Sequence, residues 1–484
     1  MAVIDVDSSG DFGCGLSRRR ARCKIVGTVY GSAAVRSPFV LLVALAALHV
    51  APCASAQQPA PLEVPFKQFT LDNGLNVVLH RDTSVPIVAV NVWYHVGSAN
   101  EKPGRTGFAH LFEHLMFEGS KNVPEGAFDT LLEAAGATNN GSTNNDRTNY
   151  IIDVPANALE LALFLESDRM GYLLATMTPE VVDGQRDVVK NERRQSYENR
   201  PYGMAELALD ELLWPEGHPY HWPTIGYMED LTAASHDDVV AFFKTYYAPN
   251  NASLVLAGDI DLDKTQALVE KWFGAIPRGA DVLPVAPPSA MLTGVTRKSL
   301  KDRVGLPRVY LAWLTPRHFA PGDAALDLVS AVLTVGKNSR LYKRLVYDMQ
   351  IAQDVSAFQA SAALGSAFQI VATARPGHTA AELNAAIDEE LKRLQSEPPT
   401  AREVQRALNQ IEASFYRGME PVGGFGGKAD QLNAYFAAGG GPDYFGEDLA
   451  RYMALTPADV QSAATQWLPL ARRIELVVEP EEGR

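Results

Sequence analysis

Two stretches of this chain, set about 220 residues apart, read alike. Ser235–Asp259 (SHDDVVAFFKTYYAPNNASLVLAGD) and Thr456–Pro480 (TPADVQSAATQWLPLARRIELVVEP) each run from a helix-capping residue through an amphipathic stretch into a β-prone run. Gln185–Glu192 (QRDVVKNE) matches Gln405–Glu412 (QRALNQIE) in the same way. The offsets, 456 − 235 = 221 and 405 − 185 = 220, agree on one register. A repeat of this length is a duplicated domain, not a solenoid unit. The 484 residues also exceed what one ordinary core supports. The expected fold is therefore α+β: two homologous α/β-sandwich domains, each a mixed sheet packed with helices. The first spans 66–276 and the second 298–484, joined by a Pro- and Gly-bearing linker at 277–297.

The chemistry is concentrated in the first domain. Gly107–Ser120 reads GFAHLFEHLMFEGS and contains the pattern H-x-x-E-H at His110, Glu113 and His114. No Pro or Gly interrupts Phe108–Glu118 and the flanking residues are apolar, which predicts a short buried helix. On that helix the two histidines stand one turn apart on one face, with Glu113 beside them. Two imidazoles so placed can bind one Zn²⁺, leaving the glutamate to move a proton. Burying a charged Glu on an otherwise apolar helix costs free energy that only a use would justify. The positional counterpart in the second domain, Ala325–Gly336 (ALDLVSAVLTVG), contains no histidine. One metal site per chain is the expectation.

Catalytic zinc usually takes three protein ligands. The three cysteines, Cys14, Cys23 and Cys53, all lie near the N-terminus, so the third ligand must be His or carboxylate. Glu192, on a helix predicted over 179–197, is the first candidate; spacing alone leaves Glu198 and Glu206 open. His218 and His221, in HPYHWPTIG, read as loop packing. Ahead of the motif, β-prone runs cover 66–70, 75–80 and 87–96. Behind it, the Asn- and Thr-rich Gly136–Pro155 reads as two strands turning around Asn144-Asn145-Asp146.

A net charge of −14 argues against nucleic acid as a partner and gives no basic surface for anionic lipid. Near the N-terminus, the basic SRRRAR at Ser17–Arg22 precedes an apolar run, Phe39–Val50, and then Ala54-Ser55-Ala56. That order predicts a signal peptide over 1–56 with a long basic region, cut after Ala56, and a disordered mature start at 57–65. The apolar run is too short to span a bilayer comfortably, so no stable membrane insertion is expected after cleavage. With no cysteine left after that cut, a periplasmic or secreted bacterial location is expected.

Several motifs together carry a resemblance: HLFEH with GFAH before it, GATNNGSTNNDRTNY, QRDVVKNERR, HPYHWPTIG and KNSRLYKRLV. From about Phe66 to Glu479 the chain resembles the pitrilysin/insulinase family of zinc metallopeptidases, most of all its short bacterial and mitochondrial-processing-type members. The resemblance implies an endopeptidase acting on peptides or unfolded segments, with one Zn²⁺ on His110, His114 and Glu192 and with Glu113 as general base. It implies that substrate adds as a strand to an edge within Gly136–Thr143, with Asn140 holding its backbone. Where many members carry a glutamate seven residues before the ligand, supporting the metal from behind, this chain has Gln185. The family's closed chamber needs two such two-domain halves, which implies a dimer. An Arg and a Tyr opposite the zinc help hold substrate in the family, but Gly365–Gly377 offers Arg375 and no tyrosine. A zinc-free homologous subunit is therefore the expected partner. The alternatives are a zinc-binding but non-catalytic assembly subunit of the same fold, and a zinc carrier, for which Glu113 would have no purpose.

Overall fold

The computed structural model describes residues 62–481. The expected signal peptide lies outside the described residues. In the first half, six strands build one sheet: β1 (Lys67–Thr70), β2 (Asn76–Arg81), β3 (Ile87–Tyr94), β4 (Thr138–Thr143), β5 (Thr148–Pro155) and β6 (Ala252–Gly258). Their order is β1-β2-β6-β3-β5-β4, with β2–β6 parallel and the other pairs antiparallel. The helices of this half are α1 (Phe108–Leu115), α2 (Ala127–Ala134), α3 (Leu159–Tyr172), α4 (Pro179–Arg193), α5 (Gly203–Leu213), α6 (Met228–Ala233), α7 (His236–Tyr246) and α8 (Leu262–Phe273).

The second half holds β7 (Val295–Asp302), β8 (Arg308–Thr315), β9 (Ala352–Ala360), β10 (Ser366–Ala374) and β11 (Arg473–Pro480) in the order β7-β11-β8-β10-β9. Its helices are α9 (Asp323–Thr334), α10 (Ala380–Ser396), α11 (Ala401–Gly418), α12 (Lys428–Ala437), α13 (Phe445–Met453) and α14 (Pro457–Trp467). The repeat is a repeat of structure. β3 and β8 are offset by 308 − 87 = 221, β6 and β11 by 473 − 252 = 221, and α3 and α10 by 380 − 159 = 221. Exchanging each strand for its counterpart turns β2-β6-β3-β5-β4 into β7-β11-β8-β10-β9. The chain is thus the α+β molecule with two related mixed sheets that the repeat implies.

Each sheet is covered on one face by its own half and on the other by a helix from the opposite half. In the first sheet Val77, Leu79, Val90 and Val92 pack with α1, α3 and α7. The alternate residues Val78, Ala89, Val255 and Ala257 meet Leu432 and Tyr435 of α12. In the second sheet, Tyr310, Ala312, Ile474 and Leu476 receive Ala205, Leu209 and Leu213 of α5. Burial on both faces explains why ASLVLAG in β6 is buried at every position and, apart from Ser253, apolar instead of alternating. Asp430 fixes α12 in place: its carboxylate accepts from Asn91 Nδ2 (3.1 Å), Trp93 Nε1 (3.0 Å) and Asn149 Nδ2 (3.0 Å).

Two boundaries differ from the sequence reading. Leu62–Pro65 falls in the stretch expected to be disordered, yet Val64 is buried against this α12 layer and His80 Nδ1 meets the Pro65 carbonyl at 2.7 Å. An apolar Val inserted between two halves is held by their burial, which composition near a terminus does not reveal. The expected linker also ends early, since β7 begins at Val295 by pairing in parallel with Arg473. Among the described residues no helix is long and apolar enough to cross a membrane.

Candidate metal centre

The start of α1 is set by residues outside the motif. Gly107 takes φ 83°, and a Cβ there would lie 2.8 Å from the Ile225 carbonyl oxygen, so glycine is required on both counts. The side chain of Glu101 caps the helix: it accepts from Gly107 N at 2.9 Å and Ala109 N at 2.8 Å, satisfying amides that would otherwise lack partners. Asp230 accepts from both Thr106 N (3.1 Å) and Thr106 Oγ1 (2.7 Å), fastening the preceding turn. Phe108, Leu111, Phe112 and Leu115 bury one face of α1, with Phe112 stacked on Phe242, Phe243 and Tyr247. The other face carries His110, Glu113 and His114 toward α4 and β4.

The imidazoles of His110 and His114 lie 4.9 Å apart, nearly perpendicular. Glu192, near the end of α4, brings one carboxylate oxygen to 3.6 Å from His110 Nε2 and 3.3 Å from His114 Nε2. One donor atom from each of the three residues lies within 4.8 Å of the others. Burial lowers the His110 pKa to about 4, so at neutral pH its ring is in the uncharged form that ligates metals. Burial opposes the Glu192 charge, but the neighbouring imidazoles outweigh it and hold the carboxylate below its usual range. Two imidazoles and one carboxylate converging on one point are a donor set that fits Zn²⁺. The rival carboxylates point elsewhere: Glu198 is paired with Arg193, and Glu206 lies 3.7 Å from Arg200. Directly after α4 the backbone widens into a π-helical turn, Arg194–Glu198, in place of the continued α-helix that the sequence predicts to 197.

Glu113 sits beside this cluster. Burial raises its pKa, opposed by a hydrogen bond from Thr143 Oγ1 to its Oε2 at 2.7 Å and by the neighbouring His114 imidazole. β4 passes so close that a Cβ on Gly141 would lie 3.0 Å from Glu113 Cγ. Among the described residues β4 pairs only with β5 and forms an open edge of its sheet. Side chains alternate along the strand, and Gly141 and Thr143 face Glu113. Asn140 is therefore on the other face, exposed, with its Oδ1 accepting from Gly141 N at 2.8 Å. Gln185 does not touch the ligands either. Its Nε2 donates to Glu118 Oε1 at 2.7 Å, one turn beyond His114. His218 stacks on Trp214, and His221 Nδ1 lies 2.8 Å from the Trp214 carbonyl, so both belong to loop packing.

Thr143 and Glu101 were missed by sequence reasoning. Thr143 was within reach, since a strand predicted over 136–143 alternates and Thr143 shares its face with Gly141. Glu101 gives no local signal, because its partners are backbone amides six and eight residues on.

A model described as insulinase, peptidase family M16, matches residues 76–215, and one described as the peptidase M16 inactive domain matches residues 233–411. The zinc protease PqqE of Helicobacter pylori is 31% identical over 359 residues, covering 72% of this chain and 79% of that protein. The crystal structure of a protease from Helicobacter pylori aligns with TM-score 0.80 at 27% identity, over 87% of this chain and all of that one. A peptidase M16 inactive domain from Pseudomonas fluorescens shares the fold at TM-score 0.76 and 18% identity, over 87% of this chain and 99% of that one.

Proposed function

The chain belongs to the insulinase (M16) family of peptidases, and from that premise we propose that it is an exported zinc-dependent endopeptidase hydrolysing peptides or unfolded segments. The observation that carries the reading is the convergence of His110, His114 and Glu192 beside a separate, half-buried carboxylate, Glu113, which is not needed to complete the donor set. In this reading His110, His114 and Glu192 hold one zinc ion. Bound there, zinc supplies Lewis acidity toward water and the scissile carbonyl.

The chain's own residues do the rest. Glu113 takes a proton from the attacking water at a carboxylate oxygen and delivers it to the leaving amine. Its raised pKa suits both halves of that exchange, and Thr143 holds the group in place. The open edge of β4 receives the peptide as an added strand, so main-chain hydrogen bonds position the scissile bond while side chains vary. Asn140, exposed on that edge with its amide nitrogen uncommitted, contributes a donor to the substrate backbone. Gln185 acts from behind by holding Glu118, the next carboxylate along from His114.

The second half serves as a wall, a role supported by its match to an inactive-domain model and its lack of a histidine pair. The working unit is a dimer, preferably with a zinc-free relative. The second reading, a zinc-binding assembly subunit without catalysis, draws on the same inactive-domain match. A mixture of short unfolded peptides separates the two. The chain, supplied with its partner, should cleave them, lose cleavage on chelation and regain it with zinc. Stoichiometric zinc without any cleavage would favour the assembly subunit; cleavage indifferent to chelation would overturn both.

A further inference from the structure

The duplication leaves a second groove where the first half has its metal centre. α9 and α11 are the counterparts of α1 and α4, and between and along them run two adjoining cavities of about 570 and 390 Å³, sharing Val335, Gln410 and Ser414. The larger is lined by Arg402, Arg406 and Arg417, spaced so that they share one face of α11. The chain as a whole carries −14, so three arginines on the larger cavity are a local inversion of charge, while the smaller cavity carries Asp327 and Asp448 and lies outside the basic stretch. Among the described residues none of the three is paired with a carboxylate. Arg417 has only Ser414 Oγ, at 2.9 Å, and Arg406 keeps a buried Nη2 with no partner. The helix's own acids do not neutralise them: Glu403 is held by Arg340, and Glu412 does not line the groove.

We propose that this groove binds an acidic peptide segment in extended form. Arg417 lies fifteen positions after Arg402 (417 − 402 = 15), roughly 22 Å along a helix at about 1.5 Å per residue. An extended peptide covers that length with roughly seven residues at about 3.3 Å each. A small anion would engage one end only. Between the arginines, Gln405, Asn409 and Gln410 offer amide donors and acceptors to a peptide backbone. Guanidinium groups pair with carboxylates in two-pronged fashion, which favours Glu and Asp side chains over isolated charge. The proposal rests on the peptidase reading for the class of ligand, peptide, but not on hydrolysis.

The test uses the full chain carrying Glu113→Gln, so that turnover plays no part. A fluorescein-labelled eight-residue peptide with four glutamates among glycines is titrated by anisotropy, beside the same peptide with glutamines. The glutamate peptide should bind saturably, weaken as salt is raised, and lose at least tenfold in affinity in Arg402→Gln/Arg406→Gln/Arg417→Gln with an unchanged Tm. Arg417→Glu alone, at the exposed end of α11, should weaken it severalfold, which keeps the test decisive if the triple variant folds poorly. Citrate should compete only far less well than the peptide. Equal binding by the triple variant, equal binding of the glutamine peptide, or citrate competing as well as the peptide would overturn the proposal.

Discussion

The hydroxyl of Thr143, on the edge strand β4, donates to the carboxylate of Glu113, on the motif helix, at 2.7 Å. The strand read as the substrate's docking edge thus also fixes the group read as the general base. A hydrogen bond to a charged group is worth about 1.5–3 kcal/mol. Thr143→Val should lower kcat about tenfold or more while leaving zinc content unchanged, measured by steady-state cleavage alongside metal analysis. A loss of zinc instead would mean that Thr143 shapes the site rather than the base.

Glu101 caps the helix that carries the motif, accepting from two buried amides. Glu101→Ala leaves those donors without partners, at a cost of about 1–3 kcal/mol each for a buried group. Urea denaturation should show a lower midpoint. Zinc affinity should fall with it, because His110 stands only three residues past Gly107.

On α5, burial and the charges of Glu206 and Glu211 push the Asp210 carboxyl up to about 8. Below pH of about 4 the group is protonated in both folded and unfolded chains. As pH rises toward 8 the unfolded chain ionises and the folded one does not, so stability declines through that window and then levels off. Asp210→Asn removes the decline. The Tm advantage of the variant should therefore grow from pH 4 to pH 8, and a constant difference would contradict the assignment.

Arg375, the arginine in the segment expected to face the zinc, spends its guanidinium on its own half: Nε donates to the Ala352 carbonyl at 3.1 Å and Nη2 to that of Val346 at 3.4 Å. It is poorly placed to serve a substrate. The isolated chain should cleave peptides weakly, and adding a zinc-free homologous partner should raise activity by orders of magnitude. Full activity from a monomer, established by sedimentation under assay conditions, would contradict this.

What could be read from sequence follows the range of the interactions involved. The motif helix, the histidine face and the 221-residue offset are local or periodic patterns, and each element forms where its pattern lies. Glu192 is 78 positions from His114 (192 − 114 = 78), and spacing left Glu198 and Glu206 open beside it. Only the packing of α4 across α1 turns one carboxylate inward and leaves the others on Arg193 and Arg200. The exchange of α5 and α12 between halves was not legible, because an amphipathic helix records that it is covered and not by which sheet. The buried Val64 escaped for the same reason.

Glu113 is expected to act as a base beside a metal it does not bind. Zinc content and peptide turnover measured together on the parent and on Glu113→Gln, each with its partner present, test it most directly. Both proteins should hold about one zinc per chain, and turnover should drop by about 10²–10⁴ in the variant, as expected for removal of a positioned base. Turnover within a few-fold of the parent, or loss of zinc from the variant, would contradict the account.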